Sequence, residues 1–297
     1  MSEIRDQREI MIKKFQAITV LFFLLTLLVG ASAQSGVSLK PVIKVGEENR
    51  YLVNAVVDTR VTATGGGGIA SDVHRETTAT ILLRAVTNEK GMLVYEAVIE
   101  AIVTHTSVDG IGQASEEASL LGQKIEYRLD STGQLAKASF PEAAGGTGLP
   151  ELVLSLTKWA PAGEVTVGQS WGTGTGDYGY IAAPGMAEVA KGAAVSYRLS
   201  SLGGGKASIE GTITLKQSGA SRIRTAQGSL NVNAVATGKG SSRIEYDATA
   251  GRVIAATTET SLTGRLANIP PAPEGVKLQP REGSFIENAK FSITLVQ

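Results

Sequence analysis

The sequence predicts an all-β protein whose mainly antiparallel strands form a curved sheet, or an open or half barrel, built from a duplicated module with one short helix. Three observations lead to this prediction. Segments rich in β-branched residues alternate with Gly, Asn and Asp turns, and Gly accounts for 35 of the 297 residues. Long helical periodicity is found in one short segment only. Two parts of the chain also resemble each other at a nearly constant offset.

The N-terminus predicts a secretory signal peptide over residues 1–33. A basic pair (13–14) precedes an apolar run (15–30), and Ala31–Ala33 supplies an A-x-A cleavage site. The run is shorter than the about 20 apolar residues of a membrane span, which favours cleavage over retention as an anchor. The preceding polar stretch is unusual, so Met11 is an alternative start to Met1. We expect an exported protein, periplasmic or extracellular, with no permanent membrane span after cleavage.

The composition argues against several classes of protein. The chain has no Cys, which excludes a disulfide framework and a thiolate metal site. The 28 Lys and Arg residues are balanced by 28 Asp and Glu, whereas a nucleic-acid binder normally carries a basic excess. We therefore expect no nucleic-acid partner.

Strand signals follow one another through the first half of the mature chain. Tyr51–Thr64 is rich in β-branched residues and stops at four glycines, and Thr80–Val86 ends before a turn. Met92–Thr104 is followed by Asp109-Gly110, a dipeptide typical of tight hairpins. Strands separated by such short turns indicate an antiparallel meander.

One segment, Leu149–Trp159, has helical periodicity. Pro150 stands near its start, and apolar residues recur at Leu152, Leu156 and Trp159. The turn signal 160–163 follows it. We expect this helix to pack on the concave face of the sheet.

The internal repeat appears in three pairs of segments that match in the same order. They are Val45–Tyr51 with Val167–Trp171, Arg84–Ile99 with Arg198–Ile213, and Lys124–Leu135 with Arg243–Val253. The repeat predicts a first β module over 34–148, a short helix and linker over 149–163, and a second β module over 164–297. We expect the two modules to form one domain.

These motifs resemble those of a family of exported bacterial β-proteins. Three features are shared with it: the segment V-T-V-G-Q-S-W (Val165–Trp171), the two K/R-I-E-Y hairpins and the predicted signal peptide. Its members carry two tandem copies of such a module, and the function of the family is unknown. At the level of fold alone, a long exported sheet is also similar to periplasmic lipoprotein carriers, whose curved half-barrel holds an acyl chain.

No catalytic, metal or cofactor site is predicted. His74 and His105 each have an Asp nearby but lack the third converging group that a metal or catalytic site usually needs. The glycines of 172–180 are not followed by the lysine of a phosphate loop. Glu126 and Glu245 alternate with Ile and Tyr, which places them on a solvated face.

The function predicted from sequence is a non-enzymatic binding or structural β-protein of the envelope. A hydrophobic or lipid ligand would occupy an apolar pocket beside the predicted helix, lined by Leu152, Leu156, Trp159 and Trp171. A protein–protein interaction or scaffold role is the alternative, with an envelope protein as partner. An outer-membrane barrel or a hydrolase is less favoured, because the mature chain lacks both an aromatic girdle and a recognisable hydrolase motif.

Overall fold

The computed structural model describes residues 36–41, 44–64, 70–89, 92–116, 118–130, 135–139, 153, 156–157, 159–176, 190–225, 228–267 and 282–296. Residues Ser38–Gln297 form one compact unit, to which the sheet belongs. In this described part, the predicted all-β class is confirmed, since 12 strands form a single antiparallel sheet. No helix among the described residues has the length and apolar character of a membrane span.

The strands of the first half are β1 (Glu48–Thr64), β2 (Ala70–Glu89), β3 (Met92–Val108), β4 (Ile111–Glu116), β5 (Lys124–Leu129) and β6 (Leu135–Ser139). Those of the second half are β7 (Ser170–Gly176), β8 (Ala190–Gly203), β9 (Lys206–Thr225), β10 (Gly228–Asp247), β11 (Arg252–Ala267) and β12 (Glu282–Leu295). A 3₁₀ turn, Ala118–Leu120, precedes β5.

The order of the strands across the sheet is β6-β5-β3-β2-β1-β12-β11-β10-β9-β8-β7, and β4 pairs with β3 beyond the end of β5. The first half of the chain therefore runs from the middle of the sheet to one edge, and the second half runs from the other edge back to the middle. There β1 pairs with β12, with Tyr51 opposite Leu295 and Thr64 opposite Glu282. Because β6 and β7 do not pair with each other, pairing of the described strands leaves the sheet unclosed.

One face of the sheet, here called the inner face, is buried. Along β12, buried and exposed residues alternate from Gly283 to Ile293, as the period of two of a strand requires. The lower end of the sheet is defined as the end where β1 begins and β12 ends, and the upper end is its opposite. The core lies on the inner face, and most of its large side chains lie toward the lower end.

The sheet curls around this inner face. Burial raises the pKa of the Tyr246 phenol on β10, and Tyr95 on β3 raises it further. Four strands separate β3 from β10, so a flat sheet would place them about 24 Å apart. Curvature brings their inner side chains close enough to interact.

Two predicted local features can be compared with the structure. Asp109 and Gly110 have φ values of 53° and 82°, which confirms the tight hairpin between β3 and β4. In the repeated segments, Arg84 lies opposite Glu96 and Arg198 lies opposite Glu210. These hairpins share their register, while the division into two modules remains a prediction.

The predicted helix lies largely outside the described residues, and Leu152 is among those outside. Its described residues form two turns, in which Leu156 N–H donates to the Val153 carbonyl and Ala160 N–H donates to the Thr157 carbonyl, both at 3.1 Å. Val153 itself is helical and buried, and the turns follow it, while the full extent of the predicted helix lies outside the described residues.

Candidate functional site

An aromatic cluster closes the inner face at the lower end of the sheet. Its members come from four strands and from the segment that precedes β7, and each is at most 1% exposed. This cluster, here called the aromatic floor, consists of Tyr51, Tyr95, Tyr127, Trp159 and Tyr246. Strand alternation places the four tyrosines on the inner face, and the curl of the sheet brings them together.

Trp159 joins the segment between β6 and β7 to the sheet. Its ring meets that of Tyr246 edge to face, with a centroid distance of 4.9 Å and an interplanar angle of 68°. Its Nε1–H donates to the Leu156 carbonyl at 3.1 Å, so the buried indole keeps a hydrogen bond. Leu156, at 3% exposure, is buried beside it.

Trp171 on β7 is half-buried and bonded to the same segment. Its Nε1–H donates to the Trp159 carbonyl at 2.7 Å, and its ring stacks on Tyr197 at 6.1 Å. The structure therefore brings together three of the four residues predicted to line a pocket, namely Leu156, Trp159 and Trp171. The two tryptophan side chains pack against tyrosines of the sheet.

The hydroxyls of the floor differ in their partners. Tyr51 Oη donates to the Val253 carbonyl at 3.1 Å, and Tyr246 Oη donates to the Lys40 carbonyl at 2.6 Å. The buried Tyr127 Oη has no partner among the described residues, although its ring stacks on Tyr95 at 5.1 Å. Burial raises the pKa of Tyr127 well above its ordinary value, so the phenol is neutral at physiological pH.

Above the floor, the inner face changes from aliphatic to mixed polar. Inner residues of the row next to the floor include Val53, Ala79, Ile244 and Ile293, all buried. Higher up, buried polar residues share the inner face. They are Thr59, Thr77, Thr104, Ser242, Thr260 and Glu287, here called the polar belt.

Glu287 is the only buried carboxylate of the described residues, at 2% exposure, and Thr59 Oγ1 donates to its Oε2 at 3.5 Å. Sequence reasoning missed this residue. The signal was present, since Phe285, Glu287, Ala289 and Phe291 alternate along one face of a strand. A buried acidic group between apolar side chains of its own strand is the kind of feature that orients a ligand.

Toward the upper end, apolar side chains share the inner face with the polar belt and with Arg75, which lies opposite Val57, and they are less completely covered. Val57 and Val61 on β1 and Val73 on β2 are half-buried, and Val108 on β3 is 44% exposed. The lower part of the inner face is thus closed by the floor, while its upper part retains accessible apolar surface.

The outer face carries a separate groove of 510 Å³ across β1, β12, β11 and β10, lined by charged residues whose exposed surface in the groove is mostly apolar. Lys290 Nζ contacts Glu259 Oε1 at 2.7 Å within it, and Asp58 and Lys239 also line it. Its charges are mutually compensating, so the groove has no strong preference for one sign of ligand.

The histidines and glutamates singled out from sequence do not converge. His74 Nδ1 lies 2.6 Å from Asp58 Oδ1 on the outer face, with both side chains about half exposed, and His105 is exposed. Among the residues that the structure describes, no group of three or more potential metal ligands is found. Glu126 pairs with Arg128 at 3.1 Å, and Glu245 is exposed.

Comparison with known proteins finds a similar fold and no family. No protein-family model matches the chain, and no curated protein sequence matches it. Lipovitellin, in a structure concerned with lipid–protein interactions in that protein, is 12% identical over 86% of this chain, with a TM-score of 0.50. The chain spans 26% of the lipovitellin chain. This likeness shows the fold alone.

Two outer-membrane proteins are similar at a lower level. OmpF of Salmonella typhi, solved in complex with daunomycin, is 9% identical over 81% of this chain and 98% of its own, with a TM-score of 0.22. An outer membrane channel from Pseudomonas putida F1 is 9% identical over 86% of this chain and 97% of its own, with a TM-score of 0.23. TM-scores this low carry no argument about this chain.

Proposed function

We propose that this chain is an exported bacterial β-protein that binds a hydrophobic or lipid ligand on the inner face of its sheet and catalyses no reaction. The observation that supports the proposal is the accessible apolar surface at the upper end of the inner face, formed by Val57, Val61, Val73 and Val108. Accessible apolar surface inside a curved sheet is typical of ligand sites. The likeness in fold to lipovitellin agrees with this proposal.

The division of the inner face explains how a ligand would be held. The floor fills the lower part, because its aromatic side chains are at most 1% exposed. A ligand would therefore lie above it, with its apolar part against the valines and its polar part near the belt that contains Glu287. Burying one valine against a ligand contributes about 1.5 kcal/mol, or roughly a tenfold change in affinity.

Strand alternation supplies a matched pair of variants. Val57 faces the inner side of β1, and the adjacent Val56 lines the groove on the outer face. Val57→Glu should weaken the binding of a fluorescent fatty acid at least tenfold, because its carboxylate replaces apolar surface, lies opposite Arg75 and repels the carboxylate of the probe. Val56→Glu should leave binding within about twofold of the wild type, since its side chain points away from the ligand.

Native mass spectrometry of protein purified from its own host tests the same proposal without a chosen probe. We expect a co-purified lipid, which Val57→Glu removes while circular dichroism still shows a folded β-protein. If both variants bind the probe alike and no lipid co-purifies, the inner face holds no ligand. A co-purified protein in its place would favour the alternative role, an envelope scaffold or interaction protein.

A further inference from the structure

Arg75 on β2 lies on the inner face, at the boundary between the polar belt and the upper valines. The alternation of β2 determines its side, since Thr77 and Ala79 are buried on the inner face while His74 contacts Asp58 on the outer face. Arg75 occupies an inner position of this alternation and is half-buried. It is therefore a cation within the face proposed to hold the ligand, and it keeps accessible surface there.

The nearest positions around Arg75 on the inner face hold uncharged residues. Val57 on β1 and Thr106 on β3 lie directly opposite it. Along β2 itself, the flanking inner positions are Val73 and Thr77. Val57 and Val73 belong to the accessible apolar surface, so Arg75 stands at the border of that surface. A polar group placed at the end of an apolar surface is the feature that orients a ligand in such sites.

Two arginines elsewhere on the sheet show which group an arginine takes in this protein. Arg84 lies opposite Glu96 and donates to it through Nε and Nη2 at 3.1 and 2.7 Å. Arg50 donates to the two oxygens of Glu100 at 2.9 and 3.2 Å through the same pair of atoms. A planar guanidinium matches a carboxylate or a phosphate in this way, which a single point charge does not.

Glu287 carries the other charge among the described inner-face positions of β1, β2, β3 and β12 above the floor. It lies opposite Thr59, whereas Arg75 lies opposite Val57, so the two charges occupy neighbouring rows on opposite sides of β1. Strand spacing and rise place their Cα atoms about 12 Å apart. Glu287 is 2% exposed, so Arg75 is the more accessible of the two charges. An anionic group on this face is attracted to Arg75 and repelled by Glu287, which limits where it can lie.

We propose that Arg75 binds the acidic head group of the ligand, and that the ligand is therefore an anionic lipid. This inference rests on the function proposed above and adds the chemical class of its ligand. The guanidinium holds the head group by charge-assisted hydrogen bonds, while the hydrocarbon chain lies over the valines toward the upper end. The head group has two possible sources, the carboxylate of a fatty acid or the phosphate of a phosphate-bearing lipid.

The test compares decanoate with decanol, which share a chain length and differ in the charge of the head group. Both are titrated into the purified full chain by calorimetry below the concentration at which micelles form. The wild type should bind decanoate more tightly than decanol. Arg75→Gln should weaken decanoate binding about tenfold and leave decanol binding within about twofold, because only the charged head group loses a hydrogen-bonded counter-charge.

Two further variants control for folding and for net charge. Arg60 on β1 lies 3.5 Å from Asp72, with its side chain 63% exposed. Arg60→Gln therefore removes the same charge from the outer face and should bind decanoate as the wild type does. Glu287→Gln should tighten decanoate binding about three- to fivefold and leave decanol binding unchanged, since it removes a negative charge near the head group. Misfolding would not produce such a gain.

The outcomes separate this inference from the proposed function. Equal affinity of the wild type for decanol and decanoate would overturn the role of Arg75 and leave the apolar site in place. An equal loss of both ligands in Arg75→Gln, or no loss of either, would do the same. Failure of the wild type to bind either ligand would overturn the proposed function and this inference with it. Decyl phosphate separates the two sources, since tighter binding than decanoate indicates a phosphate-bearing lipid and weaker binding indicates a fatty acid.

Discussion

Replacement of Trp159 tests whether the aromatic floor stabilises the curled sheet. Trp159 is 1% exposed, and it contacts the Tyr246 ring at 4.9 Å and the Leu156 carbonyl at 3.1 Å. Trp159→Ala removes a fully buried indole from a closed cluster, and we expect it to lower the free energy of unfolding by about 3–5 kcal/mol. Trp159→Phe keeps an aromatic ring at the site and should cost about 1–2 kcal/mol, mainly through the lost N–H bond and volume.

The assay is urea unfolding followed by far-ultraviolet circular dichroism, with intrinsic fluorescence as a second signal. Because the chain has two tryptophans, Trp171→Phe leaves Trp159 as the single reporter, and its emission should be that of a buried indole. Trp171→Ala is the control, because it removes a side chain of the same size from a half-buried position. It should therefore lower the free energy of unfolding less than Trp159→Ala does. A loss below about 1 kcal/mol for Trp159→Ala, or solvent-exposed emission from Trp159, would refute the packing argument.

The remaining predictions concern an ion pair and a close strand contact. Arg84 donates to Glu96 and lowers the pKa of that carboxyl, so its stabilising effect should be present above the ordinary glutamate pKa and be lost as pH falls through the lowered value. We expect the urea concentration at the midpoint of unfolding, measured between about pH 3 and 7, to fall as the pH is lowered. This fall should be less steep in Glu96→Gln than in the wild type. A Cβ at Gly211 would lie 2.8 Å from Tyr197 Cε1, so Gly211→Ala should cost about 1–3 kcal/mol in the same unfolding assay. Gly203→Ala, whose Cβ would have nothing within 4 Å, should cost less, and equal losses would contradict the steric explanation.

The local features of this protein are encoded directly in its sequence. Strand propensity and turn signals are properties of neighbouring positions, so the sequence alone predicts strands at β1 and β3 and the Thr80–Val86 part of β2, which begins earlier, at Ala70. The Asp109-Gly110 turn is predictable for the same reason, because a tight hairpin needs positive φ at two adjacent residues.

Which distant strands meet depends on the tertiary structure. The pairing of β1 with β12 joins parts of the chain more than 200 residues apart, and strand periodicity is the same whichever neighbour a strand has. The apolar stripe of 149–159 illustrates a related limit, since its described residues are one helical position, Val153, and the turns that follow it, and the contact of Trp159 with Tyr246 on β10 is not encoded locally. Apolar residues spaced three or four positions apart are expected on one side of their segment. A helix produces this arrangement, but other local conformations can produce it too.

The candidate functional residues also combine properties that the local sequence reveals with properties that depend on tertiary packing. Glu287 is visible in the alternation of β12, but its burial depends on the curl that covers the inner face. The hydrogen bond from Arg252 to Asn49, 203 residues earlier, is encoded by no local pattern. Periodicity determines which side of a strand a residue occupies, whereas the packing of strands distant in sequence determines whether its polar atoms find partners.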